Sequence, residues 1–293
     1  MRADANILNT LRCPDDAAPL QPVQDALRCE LCGRRHTMLG PRIVELRSST
    51  PRQVNSSAQA GYEVFHAAPL AGLQGHPPGW GDLASANPGK RVFVRRERAA
   101  IARLLGDRVA GRVVDVSGGV GNYSSYLAQW AQLVVHCELH VPSFAQACRN
   151  HGHLPNMLFA RSEYLALPLA EASVDGAICT DTLIRGPQHD RALLEEIRRI
   201  LKPGGRAVVD FQHHRFKRIQ KRSPLAICYE LEEFTNMAEQ SGLAVRQVQG
   251  IGYVPTRAVP WEGAYDFMDL LFRLAVSPSR YLLAMDNPAE LDA

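Results

Sequence analysis

No run of 18 consecutive apolar residues occurs in the 293-residue sequence, so it offers no stretch that would span a bilayer as a helix. The opening MRADANILNTLRC has none of the apolar core that marks a secretory signal. Charge bias is also missing: 33 Lys and Arg against 30 Asp and Glu leave +3, too little to announce a nucleic-acid partner. Seven cysteines, an odd number in a chain without an export signal, argue for thiols or metal ligands and against a disulfide framework. Together these absences lead us to expect a cytoplasmic protein with no membrane partner. The 46% of hydrophobic residues suffices for one ordinary domain plus a smaller one.

The most informative stretch is RVVDVSGGVGNYS, Arg112 to Ser124. Val113, Val114 and Val116 around Asp115 read as a short buried strand, which the Ser117-Gly118-Gly119-Val120-Gly121 run ends in a tight turn. A helix should follow, with Asn122 or Ser124 near its cap and Tyr126, Leu127 and Trp130 on its inner face. Strand, glycine turn and helix start together expose backbone N–H groups to a ligand, a nucleotide-binding corner. A second apolar run, Leu133 to Val135, leads to Glu138, a carboxylate placed to accept from ribose hydroxyls.

Farther on come Ser162-Glu163, LPL (Leu167 to Leu169), SVDGAICTDTL (Ser173 to Leu183) and LLEEIRRILKPGG (Leu193 to Gly205). This order and spacing, over residues 95 to 250, resemble the class I S-adenosylmethionine-dependent methyltransferases. The resemblance implies an α/β fold with a Rossmann-like seven-stranded sheet and S-adenosylmethionine as cofactor. It implies that Asp115 orients near the methionine ammonium, and that Gly119 and Gly121, with Gly118, admit the cofactor to the turn. Ser117 stands where the family motif has its first glycine, and an ordinary φ is expected for it. Glu138 and Leu139 fall at the ribose, Ser162, Glu163 and Tyr164 at the adenine, and Thr180 at the end of the fourth strand. Tyr62, in the segment before the core, is placed to close over the sulfonium.

Three regions follow: a zinc-ribbon-like module over 1–50, a linker and lid over 51–90, and the cofactor-binding domain over 91–293 with an inserted helix near 260–276. In the first, Cys29 and Cys32 form a knuckle ahead of Gly33, whereas Cys13 has Asp16 where a second cysteine is expected. The segment resembles zinc ribbons that precede some methyltransferase domains, in degenerate form. Cys13, Asp16, Cys29 and Cys32 could close a zinc site, with His36 the other candidate for fourth ligand; a metal-free ribbon is the alternative. Lys90 to Leu105 reads as a basic helix with Val92, Val94, Ala99, Ile101, Leu104 and Leu105 turned inward.

After the core motifs, Pro203-Gly204-Gly205 should stop a helix, and Arg206 to Phe211 should form a strand. Ala244 to Val254 and Arg280 to Met285 should form an antiparallel hairpin at the sheet edge. Asp181 and His213 are the candidates for deprotonating a nucleophile, and Arg185 for gripping an anion. The expected activity is methyl transfer to a small molecule, with specialised metabolism as its setting. Three alternatives stay open: cyclisation or aminocarboxypropyl transfer releasing methylthioadenosine, methylation of RNA held by Arg91 to Arg103 and His213 to Arg222, and a non-catalytic cofactor-binding scaffold.

Overall fold

The computed structural model describes residues 8–50, 83, 86–182, 186–213, 227–254, 256, 259–275 and 277–288. Tyr62, Arg185 and residues 214–222 of the second basic run lie outside them.

Five strands form the parallel heart of the sheet: β5 (Arg112–Val116), β6 (Leu133–Cys137), β7 (Met157–Arg161), β8 (Val174–Cys179) and β9 (Leu201–Gln212). Their sequences are near-continuous apolar runs because both faces are covered. Alternate residues feed two cores. Val114, Val135, Leu158, Ala177 and Val209 meet α4 (Pro187–Ile200) and α5 (Leu231–Gln240). Val113, Val134, Phe159, Ile178 and Val208 meet α1 (Pro88–Leu105), α2 (Asn122–Leu127) and α3 (Val141–His151).

Beyond β9 the sheet turns antiparallel. It continues through β11 (Arg280–Asp286) to β10 (Ala244–Ile251) at the edge, so the expected hairpin forms with its later strand inside. The core order is β7-β6-β5-β8-β9-β11-β10, the seven strands expected. The inserted helix α6 (Ala264–Ala275) packs Tyr265, Met268 and Phe272 near Val92 of α1. No helix among the described residues is long and apolar enough to cross a membrane.

The N-terminal ribbon comprises β1 (Leu20–Val23), β2 (Ala26–Cys29), β3 (Arg35–Gly40) and β4 (Ile43–Glu45). β4 pairs parallel with β7, Ile43 opposite Phe159 and Glu45 opposite Arg161, so the ribbon continues the main sheet. A strand edge with open N–H and C=O groups is thereby covered.

Local expectations fail where tertiary packing decides. Trp130 is 47% exposed, because α2 ends at Leu127 before a full inner stripe can form. Ala99 faces outward, and Glu97 takes the buried place on α1 with Val94 and Ile101. β9 starts at Leu201 and carries Pro203-Gly204-Gly205 within it, with an irregularity in its pairing to β8.

Candidate functional site

At the end of β5 the chain turns through Ser117, whose φ is +61, not the ordinary value expected. A side chain in this left-handed region is strained by contact between Cβ and the following carbonyl. The three glycines differ in role. A Cβ on Gly118 would lie 2.5 Å from His136 Nδ1, and one on Gly121 would lie 2.8 Å from His151 Cδ2. Both are therefore packing positions. Gly119, with φ +57, is the one whose added Cβ would meet nothing within 4 Å. It borders open space.

Two carboxylates flank that opening. Asp115 is fully buried; Oδ2 accepts from the Ser124 hydroxyl, while Oδ1 has no partner among the described residues. Burial pushes Asp115 up to about 7. Ser124 thus serves as a buried partner to Asp115, and not as a cap; the helix starts after Gly121 with no side-chain cap. Glu138 accepts from the Gly119 N–H at 2.9 Å and the His140 N–H at 2.7 Å, and burial nevertheless raises its pKa. An orphaned buried carboxylate oxygen, a side-chain-free opening and a second carboxylate one strand over fit a ligand with an ammonium at one end and a diol farther along. S-adenosylmethionine has both.

The side expected to face the adenosine is built with help from the ribbon. Arg161, fully buried, donates to the Leu139 carbonyl at 3.1 Å and pairs with Glu45 of β4 at 3.0 Å. Glu163, expected at a strand end facing the adenine, is sealed from solvent and accepts from the Ser48 hydroxyl at 2.5 Å. The ribbon covers it. Ser162 is buried beside it, its N–H donating to the Glu138 carbonyl at 3.3 Å. The Tyr164 hydroxyl meets His189 Nε2 at 3.1 Å, and His189 Nδ1 meets Asp190 at 3.0 Å. Asp190 also accepts from the Tyr229 hydroxyl, so the carboxylate orients the imidazole with its proton on Nδ1.

The opposite end joins the expected Thr180 and Asp181 to groups that sequence reasoning missed. Thr180 is buried at the end of β8, and Asp181 after it has φ +57. Arg280, at the start of β11, reaches Asp181 at 2.6 Å, Asp210 of β9 at 2.8 Å and Glu97 of α1 at 4.0 Å. The Tyr123 hydroxyl, two residues past Gly121, donates to Glu97 Oε2. Burial raises Asp210 to about 6 and Glu97 to about 8. An acid at 97, three after Val94 and four before Ile101, was the legible signal. His213, the other expected base, is buried, with Nε2 3.1 Å from Glu230 and its ring edge-on to Tyr281.

In the ribbon, one ligand atom from each of Cys13, Asp16, Cys29 and Cys32 lies within 4.8 Å of all the others. Cys13 and Cys32 sulfurs are 3.8 Å apart, and Cys29 Sγ is 3.3 Å from Asp16. Zinc–sulfur bonds of about 2.3 Å in a tetrahedron give a sulfur–sulfur edge of about 3.8 Å, so the donor set fits one ion. His36 is buried outside this group.

Residues 114–209 match the family described as a methyltransferase domain. A demethylmenaquinone methyltransferase of Beutenbergia cavernae is 33% identical over 112 residues, 38% of this chain and 45% of the relative. The ubiquinone/menaquinone biosynthesis C-methyltransferase of Rubrivivax gelatinosus is 32% identical over 118 residues, 40% of this chain and 43% of the relative. The chain thus spans less than half the length of these curated relatives. A solved candidate S-adenosylmethionine dependent methyltransferase from Listeria monocytogenes superposes with a TM-score of 0.53 at 13% identity, covering 67% of this chain and 98% of that one, a likeness of fold. Residues 114–209 thus match the methyltransferase domain family, within a chain whose fold is shared with that solved structure.

Proposed function

We propose that this protein binds S-adenosylmethionine at Asp115, Gly119, Glu138 and Leu139, and transfers its methyl group to a small hydroxylated ring compound of quinone type. The observation that carries the cofactor reading is the opening at Gly119 beside the orphaned Asp115 Oδ1 and the Glu138 carboxylate. The two curated relatives named for menaquinone and ubiquinone methylation support the acceptor class. When bound, the cofactor supplies a methyl group on a sulfonium, and transfer requires in-line approach of a nucleophile with water kept out. The residues of this chain would hold the ammonium and ribose, and set the acceptor's protonation.

Calorimetry tests the cofactor reading directly. S-adenosylmethionine and S-adenosylhomocysteine are expected to bind with one site per chain; absence of binding to folded protein would favour a scaffold. We further propose that Cys13, Asp16, Cys29 and Cys32 hold a zinc ion, a reading supported by the spacing of their donor atoms. Its role would be to hold the ribbon against the adenosine side through β4 and Ser48.

A second acceptor class, RNA, finds little support in a net charge of +3. Non-methylating chemistry is favoured by one feature, the left-handed Ser117 at the methionine half.

A further inference from the structure

Glu97 lies on the buried stripe of α1 and is 1% exposed. Its Oε2 is taken by the Tyr123 hydroxyl, and its Oε1 has no hydrogen-bond partner among the described residues. The nearest cation, Arg280 Nη1, stands 4.0 Å from Oε1, beyond hydrogen-bonding distance. A buried carboxylate oxygen left open is costly, and it points to a partner that the described residues do not supply. Tyr123 follows the cofactor turn, and Arg280 is shared with Asp181 at the end of β8, so the open oxygen sits between the methionine half of the cradle and the carboxyl edge of the sheet.

We propose that Glu97 is a catalytic residue that takes the hydroxyl proton of the acceptor through Oε1, with Tyr123 and Arg280 as its positioning residues. The role rests on the methyl-transfer reading above. Asp181 suits it less: its carboxylate is already held by Arg280 at 2.6 Å, and its side chain is 61% exposed to water. Burial pushes Glu97 up to about 8, whereas an ordinary glutamate near 4.3 sits about 6 units below a phenol near 10. The charged and titratable groups facing Glu97 are Arg280 of β11, Asp210 of β9, Asp181 after β8, Tyr123 of α2 and Tyr265 of α6. A cation at the methionine end favours the ionised carboxylate that can accept the proton.

In the step itself, the acceptor O–H bond breaks and its proton passes to Oε1. The electron pair left behind, shared between oxygen and ring, forms the bond to the methyl carbon as the carbon–sulfur bond breaks and its pair stays on sulfur. After attack through oxygen, Glu97 releases its proton to water. After attack through a ring carbon, that carbon loses its proton to water and the ring oxygen recovers the one held by Glu97.

The test uses the full chain with S-adenosylmethionine and 1,4-naphthalenediol, comparing wild type, Glu97→Gln and Glu97→Asp, each checked by thermal melting. Glu97→Gln should lower kcat by about 100-fold or more, with cofactor affinity within about twofold and partial recovery in Glu97→Asp. The wild-type rate should rise with pH through a midpoint near the raised Glu97 value, and that limb should vanish in Glu97→Gln. A readout independent of turnover is difference infrared spectroscopy in the presence of S-adenosylhomocysteine. A carboxyl band absent from Glu97→Gln should shift when the diol is added. Unchanged turnover and pH limb in Glu97→Gln, or a band indifferent to the diol, overturns the proposal. If the band responds but the wild type makes no methylated product, the contact with Glu97 stands and the methyl-transfer reading fails.

Discussion

Arg280 Nη2 lies 2.6 Å from the Asp181 carboxylate, tying the start of β11 to the loop that leaves β8. The same guanidinium holds the buried Asp210 at 2.8 Å, and the Asp181 N–H donates to the other Asp210 oxygen at 2.7 Å. One cation therefore serves three acids, counting Glu97, and organises the carboxyl edge of the sheet.

Removing that cation should be expensive. Arg280→Met leaves Asp210 and Glu97 buried without a counter-charge, a change that costs about 3–5 kcal/mol when one partner of a buried pair is lost. Urea denaturation of variant and wild type checks it. A loss below about 1 kcal/mol would mean that water reaches these acids and solvates them.

Ser117→Gly should stabilise the protein by about 0.5–1 kcal/mol, since glycine relieves a left-handed serine worth about 1–2 kcal/mol of strain but loses more chain entropy on folding. Thermal melting is the measurement. A lower melting temperature would show that the hydroxyl makes a contact worth more than the strain.

Cofactor binding should release a proton from Asp115. Burial holds this carboxyl at about 7 in the free protein, and an ammonium beside it favours the carboxylate. Affinity should therefore climb as pH rises toward 7 and level off above it, where Asp115 is already ionised. Titration calorimetry in buffers of different ionisation enthalpy measures the proton count; no buffer dependence near pH 6 would place the ammonium elsewhere. In the same assay Glu138→Ala should weaken binding by about 1–3 kcal/mol.

For the ribbon, elemental mass spectrometry of freshly purified protein should find one zinc per chain, lost in Cys29→Ser. Hydrogen exchange at Ile43–Glu45 should quicken in that variant, because β4 is held between the ribbon and β7. Metal-free wild type with slow exchange there would make the ribbon self-sufficient.

The released nucleoside separates methylation from its alternative. S-adenosylhomocysteine is expected when acceptor is present; methylthioadenosine would mean that the methyl group never left sulfur and that Ser117 reorients the methionine end.

The core fold was legible in sequence because parallel strands buried on both faces read as apolar runs. RVVDV, LVVHC and VDGAIC each end where a turn or acid begins. The strand–turn–helix corner was legible for the same local reason: strand, glycine turn and helix are contiguous in the chain. What the sequence alone determined was therefore the order of the strands' chemistry, the Asp115–Gly121 turn and the three cysteines and one aspartate that the ribbon gathers. Tertiary structure decided the rest. Ser117's φ is imposed by the turn and not by serine's preference, and Gly121 is needed by His151, thirty residues away in sequence. Glu163 disappears beneath Ser48 because β4 happens to extend the sheet at β7. Glu97, Tyr123, Asp210 and Arg280 are separated by up to 183 residues, and no local period joins them. Only the doubly wound sheet, which brings the carboxyl ends of β5, β8 and β9 beside the start of antiparallel β11, turns four scattered residues into one charged cluster.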